Sequence, residues 1–110
     1  MPRGRLQLPL ATRQDILDVL KFTRDRFGAT KAQDYASLIR LALRDLVLSP
    51  RTGQPRQDID ADAWIYPITR PGRKARHVFL YEIVNDEPRI YGFFYDAMDL
   101  IRQWQTRKLR

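Results

Sequence analysis

Residues 75–84 read as a β-strand that is apolar on both faces. His77, Phe79, Tyr81 and Ile83 fall on one side of the pleat. Val78, Leu80 and Val84 fall on the other, broken by Arg76 and Glu82. An antiparallel strand with one solvated face alternates polar and apolar residues, and this one does not. Segment 89–95 has the same excess, with Tyr91, Phe93 and Tyr95 opposing Ile90 and Phe94. A fold built on these strands must cover its sheet twice. Helices upstream can supply one layer. The other falls to the last helix, an extra segment or a partner chain.

The rest of the chain supplies the upstream layer. Leu6, Leu8 and Leu10 alternate with Gln7 and Pro9, which predicts a short first strand over 5–10. Thr12 with Asp15 has capping-box spacing and predicts a helix whose face carries Ile16, Leu17, Leu20 and Phe27. Gly28 ends it. Thr30 with Gln33 repeats the spacing and opens a second helix. Tyr35, Ile39, Ala42 and Leu46 form one apolar stripe of that helix, and Leu38, Leu41 and Leu48 a second, so it expects cover on more than one side. Ser49–Pro50 stops it. So short a link at Gly28 makes the two helices a hairpin.

Residues 51–62, with Pro, Gly and the acidic trio Asp58, Asp60 and Asp62, read as a loop. Strands follow at 64–69, 75–84 and 89–95, with turns at 70–73 and 85–88, so they form an antiparallel meander. Asp96, with Asp99 at the third position, caps a last helix with Leu100, Ile101 and Trp104 as its apolar part. Arg107, Lys108 and Arg110 suit its C-terminal end. The expected class is α+β in a single domain over 1–110, which is enough chain for one core and too little for two.

Composition narrows the function. No apolar run is long enough to span a bilayer as a helix. There is no cysteine, so disulfides and thiolate chemistry are excluded, and a cytoplasmic location is the expectation. The formal net charge is +7, of which residues 1–57 carry +6 and residues 58–110 carry +1. A basic surplus favours acidic partners, whether nucleic acid or protein. The acidic trio lacks the Gly and distal Glu of a calcium loop, so no metal or other cofactor is expected.

Four ordered motifs resemble the RelE/ParE toxin superfamily. Asp15–Ile16–Leu17 with Phe27–Gly28, Ala32 and Tyr35 is similar to its first-helix pattern. Leu46, Pro50 and Gly53 resemble the segment after its second helix. Arg76–His77–Val78–Phe79–Leu80–Tyr81 resembles its central strand, and Ile90 followed by Met98–Asp99 its closing signature. The resemblance implies the order β-α-α-β-β-β-α: a helix hairpin packed on a twisted antiparallel sheet, with a C-terminal helix. It also implies a type II toxin that forms a hetero-oligomer with an acidic or amphipathic antitoxin.

Within the superfamily two activities are open. RelE-like members cut mRNA on the ribosome, using clustered cations on phosphate and a proton-transfer group. Here that set would be Arg73, Arg76, His77 and Tyr95. ParE-like members are not enzymes and bind DNA gyrase. The closing strand favours the ParE side, because Gly92 stands where members of the family usually carry Arg, and Tyr95 where ParE-type members often have His. On that reading the surface that meets the target or the antitoxin draws on Arg70, Arg73, Lys74, Arg76, Tyr81, Phe93 and Tyr95, and on Arg102, Trp104, Arg107 and Lys108 of the last helix. A third reading is a binding module of the same fold without toxicity. His77, among apolar neighbours, reads first as a structural residue.

Overall fold

A computed structural model describes residues 8–70 and 73–108, with the side chains of 69, 70 and 73–76 outside the description. Its elements are α1 (Leu10–Phe27), α2 (Ala29–Leu48), a single 3-10 turn (Pro50–Thr52), β1 (Gln54–Pro55), β2 (Trp64–Arg70), β3 (Arg73–Val84), β4 (Glu87–Tyr95) and α3 (Leu100–Lys108). The four strands form one antiparallel sheet in the order β1-β2-β3-β4. This is the expected α+β architecture, with one short strand, β1, that was not expected. Leu10, expected in a first strand, instead opens α1 and is exposed, and residues 5–7 lie outside the described residues. The extra strand is β1, two residues of the expected loop that pair with Trp64 and Ile65.

Both helix starts differ from the capping-box reading. Pro9 precedes α1 and its carbonyl accepts from Arg13 N at 3.0 Å. Thr12 lies inside the first turn and is fully buried, while Asp15 is turned to a tertiary partner, so neither is free to cap. In α2 the cap position is Gly28 itself, with no side-chain cap, and Thr30 and Gln33 are ordinary helical residues. Gly28 alone joins the helices at φ +94°, a left-handed backbone that favours glycine. Its N–H donates to Arg24 O at 2.9 Å and its carbonyl accepts from Ala32 N, so one residue closes one helix and starts the next. At α3 the cap is Asp99 rather than Asp96: its Oδ1 accepts from Arg102 N at 3.1 Å.

The two-faced strands are covered by this chain alone. Under the hairpin, Tyr35, Ile39, Ala42 and Leu46 of α2 meet Ile68, Phe79, Tyr81, Ile90 and Phe93, with Ile16, Val19 and Leu20 of α1 packed beside them. On the opposite face, Val78, Leu80, Ile65 and Phe94 meet Leu100 and Trp104 of α3 and Ile59 and Ala63 of the preceding loop. Of the three covers considered, the last helix and the loop supply the second layer. The second stripe of α2 is not covered in the same way. Leu41 and Leu48 are exposed, as are Leu17 and Phe27 of α1.

Two irregularities set where β4 side chains point. Asn85 and Asp86 both have positive φ (53° and 63°), which gives the tight turn that joins β3 to β4. Register then shifts between Leu80↔Gly92 and Tyr81↔Ile90, so Tyr91 is the extra residue of a bulge. The bulge lets Ile90 join the hairpin-side core while Tyr91 packs edge-on against Trp104 at 5.1 Å.

Candidate interaction surface

Several of the expected surface residues turn out to be interior. Tyr81 is fully buried and donates to Pro50 O at 2.6 Å. Burial pushes its hydroxyl up to about 12, partly opposed by the Gly53 backbone. Phe93 is buried between Phe79 and the His77 ring, with centroids at 4.6 Å and 5.2 Å. Trp104 is buried in the α3-side core. These three hold layers together and offer no contact surface, because the side chains of a sheet covered on both faces, and of the helix that covers it, point inward.

Arg107 has a specific inward task. Its Nη2 donates to Asp15 Oδ1 at 2.9 Å and its Nη1 to Asp15 Oδ2 at 3.0 Å. Nη1 also donates to Tyr91 O at 2.9 Å, and Asp15 Oδ2 accepts from Phe93 N at 3.1 Å. The two side chains are 17% and 16% exposed. The pair lies along the outer edge of β4 and binds two of its outward backbone groups, which an edge strand otherwise leaves open. It also ties α1, on one face of the sheet, to α3 on the other. Sequence reasoning missed it, since the partners are 92 residues apart.

Gly92 belongs to the same assembly. A Cβ there would lie 2.2 Å from the Phe94 ring and 3.1 Å from Arg107 Nη1, and the Arg107 guanidinium sits 4.8 Å from the centre of that ring. The absence of a side chain makes room for both groups. A glycine in a strand interior is a signal of such close approach.

The remaining expected residues divide into two places. Backbone pairing puts Ile68, His77 and Tyr95 in one row across β2, β3 and β4, with Arg70 and Arg73 paired beyond it. His77 Nδ1 and Tyr35 Oη share a 2.7 Å hydrogen bond, and Tyr95, 44% exposed, lies edge-on to His77 at 5.8 Å. The side chains of Arg70, Arg73, Lys74 and Arg76 lie outside the described residues. On α3, Arg102 is exposed, while Lys108 reaches Glu82 at 3.6 Å and lies over Trp104 at 5.0 Å. Glu82 also accepts a 2.5 Å hydrogen bond from Tyr91, whose hydroxyl burial and that contact push up to about 12.

Two carboxylates of the acidic trio are engaged locally. Asp58 takes two bonds from Arg56, at 2.8 Å and 2.7 Å, which lowers its pKa, and Asp60 Oδ1 accepts from Asp62 N. No group of three or more metal-ligating side chains occurs among the described residues. None of their helices is long and apolar enough to cross a membrane.

The family model described as the ParE toxin of the type II toxin–antitoxin system parDE matches residues 7–95. The match takes in both helices of the hairpin and all four strands, and it ends before α3. No curated relative matches the chain.

Proposed function

The chain belongs to the ParE toxin family of type II toxin–antitoxin systems, and on that premise we propose that it binds DNA gyrase, arrests growth and is neutralised by a cognate antitoxin in a cytoplasmic hetero-oligomer. The observation that carries this reading is the match across the hairpin and the whole sheet. On this reading the chain makes and breaks no bond itself; it works by contact. The α3-side packing agrees. At position 92 the strand offers glycine, and the space in front of it is filled by Phe94 and Arg107 rather than by a substrate-facing arginine.

One observation favours a second reading, a ribosome-dependent mRNA endonuclease. His77 and Tyr95 are cross-strand partners at the end of the sheet where Arg73 and Arg76 lie along β3. Expression in a bacterial host separates the readings. Gyrase poisoning predicts induction of an SOS reporter, intact mRNA and, with purified components, accumulation of gyrase-cleaved DNA. Rapid mRNA cleavage without an SOS response would overturn the gyrase reading in favour of the endonuclease. Normal growth in either test would leave a binding module without toxicity.

A further inference from the structure

The last helix is held by few side chains. Leu100 and Trp104 are buried in the second core, while Ile101, Arg102, Gln105 and Thr106 are exposed. Two charged contacts fix its C-terminal end. Arg107 donates to both oxygens of Asp15, at 2.9 Å and 3.0 Å, and Lys108 reaches Glu82 at 3.6 Å. Both cations belong to α3, and both carboxylates belong to the body of the domain. Every residue of the link from Tyr95 to Asp99 is exposed.

What α3 covers has supports of its own. A helix of nine residues does not hold by itself in water, so α3 is ordered by the floor beneath it rather than the reverse. The other cover on that face is tied separately. Arg56 N donates to Ala63 O at 2.9 Å and Ala63 N to Asp60 O at 3.1 Å, which closes the loop carrying Ile59 and Ala63 without α3. The core on the hairpin face contains no residue of α3. Loss of the hairpin would instead strip the core around Phe79, Tyr81 and Phe93. A unit whose release uncovers few buried groups opens at a lower free energy than the whole domain.

We propose that α3 is a latched lid. It swings off on the 95–99 link as one unit while the hairpin and the sheet stay folded, and Arg107–Asp15 with Lys108–Glu82 is the latch. Opening uncovers the apolar floor of Val78, Leu80 and Phe94 and leaves the two carboxylates without their α3 cations. The side chains of Asp15 and Glu82 are 16% and 11% exposed, so separation strands charge in poorly hydrated surroundings and the closed state dominates. The lid is independent of which target the toxin meets.

The chain has no cysteine, so one introduced thiol reports one place. Val78→Cys puts it on the floor under α3, and Ala42→Cys puts a control in the hairpin core; both parent side chains are buried. A buried thiol meets an aromatic disulfide reagent only when the structure around it opens. In the full chain the thiol at 78 should react at least about 100-fold faster than the one at 42. Its rate should rise only shallowly with urea, and the rate at 42 steeply, as global unfolding does. Arg107→Leu should speed labelling at 78 at least about tenfold. Tyr81→Phe, which weakens the hairpin side, should speed labelling at 42 about fivefold and leave 78 unchanged. Amide exchange on the unmodified chain reads the same event without a cysteine: residues 103–108 should share one shallow urea slope and be far less protected than residues 39–46. Equal rates and equal slopes at 78 and 42, or a steep slope for the α3 amides, would mean that α3 leaves only with the whole domain, and would overturn the lid. A fast rate at 78 that ignores Arg107→Leu would show that the floor is reached by another route, and would overturn the latch.

Discussion

Replacing Asp15 with alanine removes three hydrogen bonds at once: two from Arg107 and one from Phe93 N. It leaves a guanidinium that is 17% exposed without its counter-charge and a strand-edge N–H without an acceptor. Removing one partner of a fully buried ion pair costs about 3–5 kcal/mol. The small residual exposure lets water reach the survivor, so about 2–4 kcal/mol is expected here. That is a large share of the ~5–15 kcal/mol that holds a domain of this size. At about 4–8 °C per kcal/mol, the melting temperature should fall by at least ~8 °C. Urea unfolding, followed through Trp64 and Trp104, measures the cost directly. Arg107→Leu should also destabilise. The double variant Asp15→Ala with Arg107→Leu should recover part of the loss, with a coupling of about 1.5–3 kcal/mol. A single-variant cost below ~1 kcal/mol, or a coupling within ~0.5 kcal/mol of zero, would refute the argument that this pair clamps the two helical layers around β4.

Three further perturbations test the packing. Tyr81→Phe should cost about 1–2 kcal/mol by stranding the Pro50 carbonyl. Because the folded hydroxyl ionises near 12 against 10.0 in the open chain, its contribution is complete below about pH 10 and is lost as pH rises toward 12. The stability gap between parent and Tyr81→Phe should therefore narrow between about pH 10 and pH 12 in thermal melts. Gly92→Ala should cost about 1–3 kcal/mol in urea, and Phe94→Leu in the same chain should relieve part of it, because the clash is with that ring. Asp86→Gly should raise the urea midpoint, gaining about 0.5–1 kcal/mol from a left-handed position. The exposed Arg51–Asp86 pair it removes contributes little.

The meander and the inner stripe of α2 were legible in the sequence because each rests on a local period. Tyr35, Ile39, Ala42 and Leu46 repeat at helical spacing, and all four are buried. The demand for two covers followed from β3 and β4, and the hairpin on one face with α3 and the 56–63 loop on the other meets it. Helix starts were not legible. Thr12 and Asp15 have the spacing of a cap, yet tertiary packing claims Thr12 and a partner 92 residues away claims Asp15. The inward placement of Tyr81 and Phe93 was not legible for a related reason. An aromatic on a strand, such as Tyr81 or Phe93, looks the same whether it meets a partner or a helix of its own chain. Only the three-dimensional layers show that the sheet is closed and that the hairpin carries the exposed leucines. Gly92 was a readable signal of close approach, and its neighbours Phe94 and Arg107 were not.

The clamp also orders events in time. Asp15 and Arg107 are 92 residues apart, so the clamp closes only after the hairpin and the meander between them have come together. Without Leu100 and Trp104, Val78, Leu80 and Phe94 have only Ile59 and Ala63 of the loop as cover. Until that arginine binds, the domain is half-roofed and its first helix is unfastened on the β4 side.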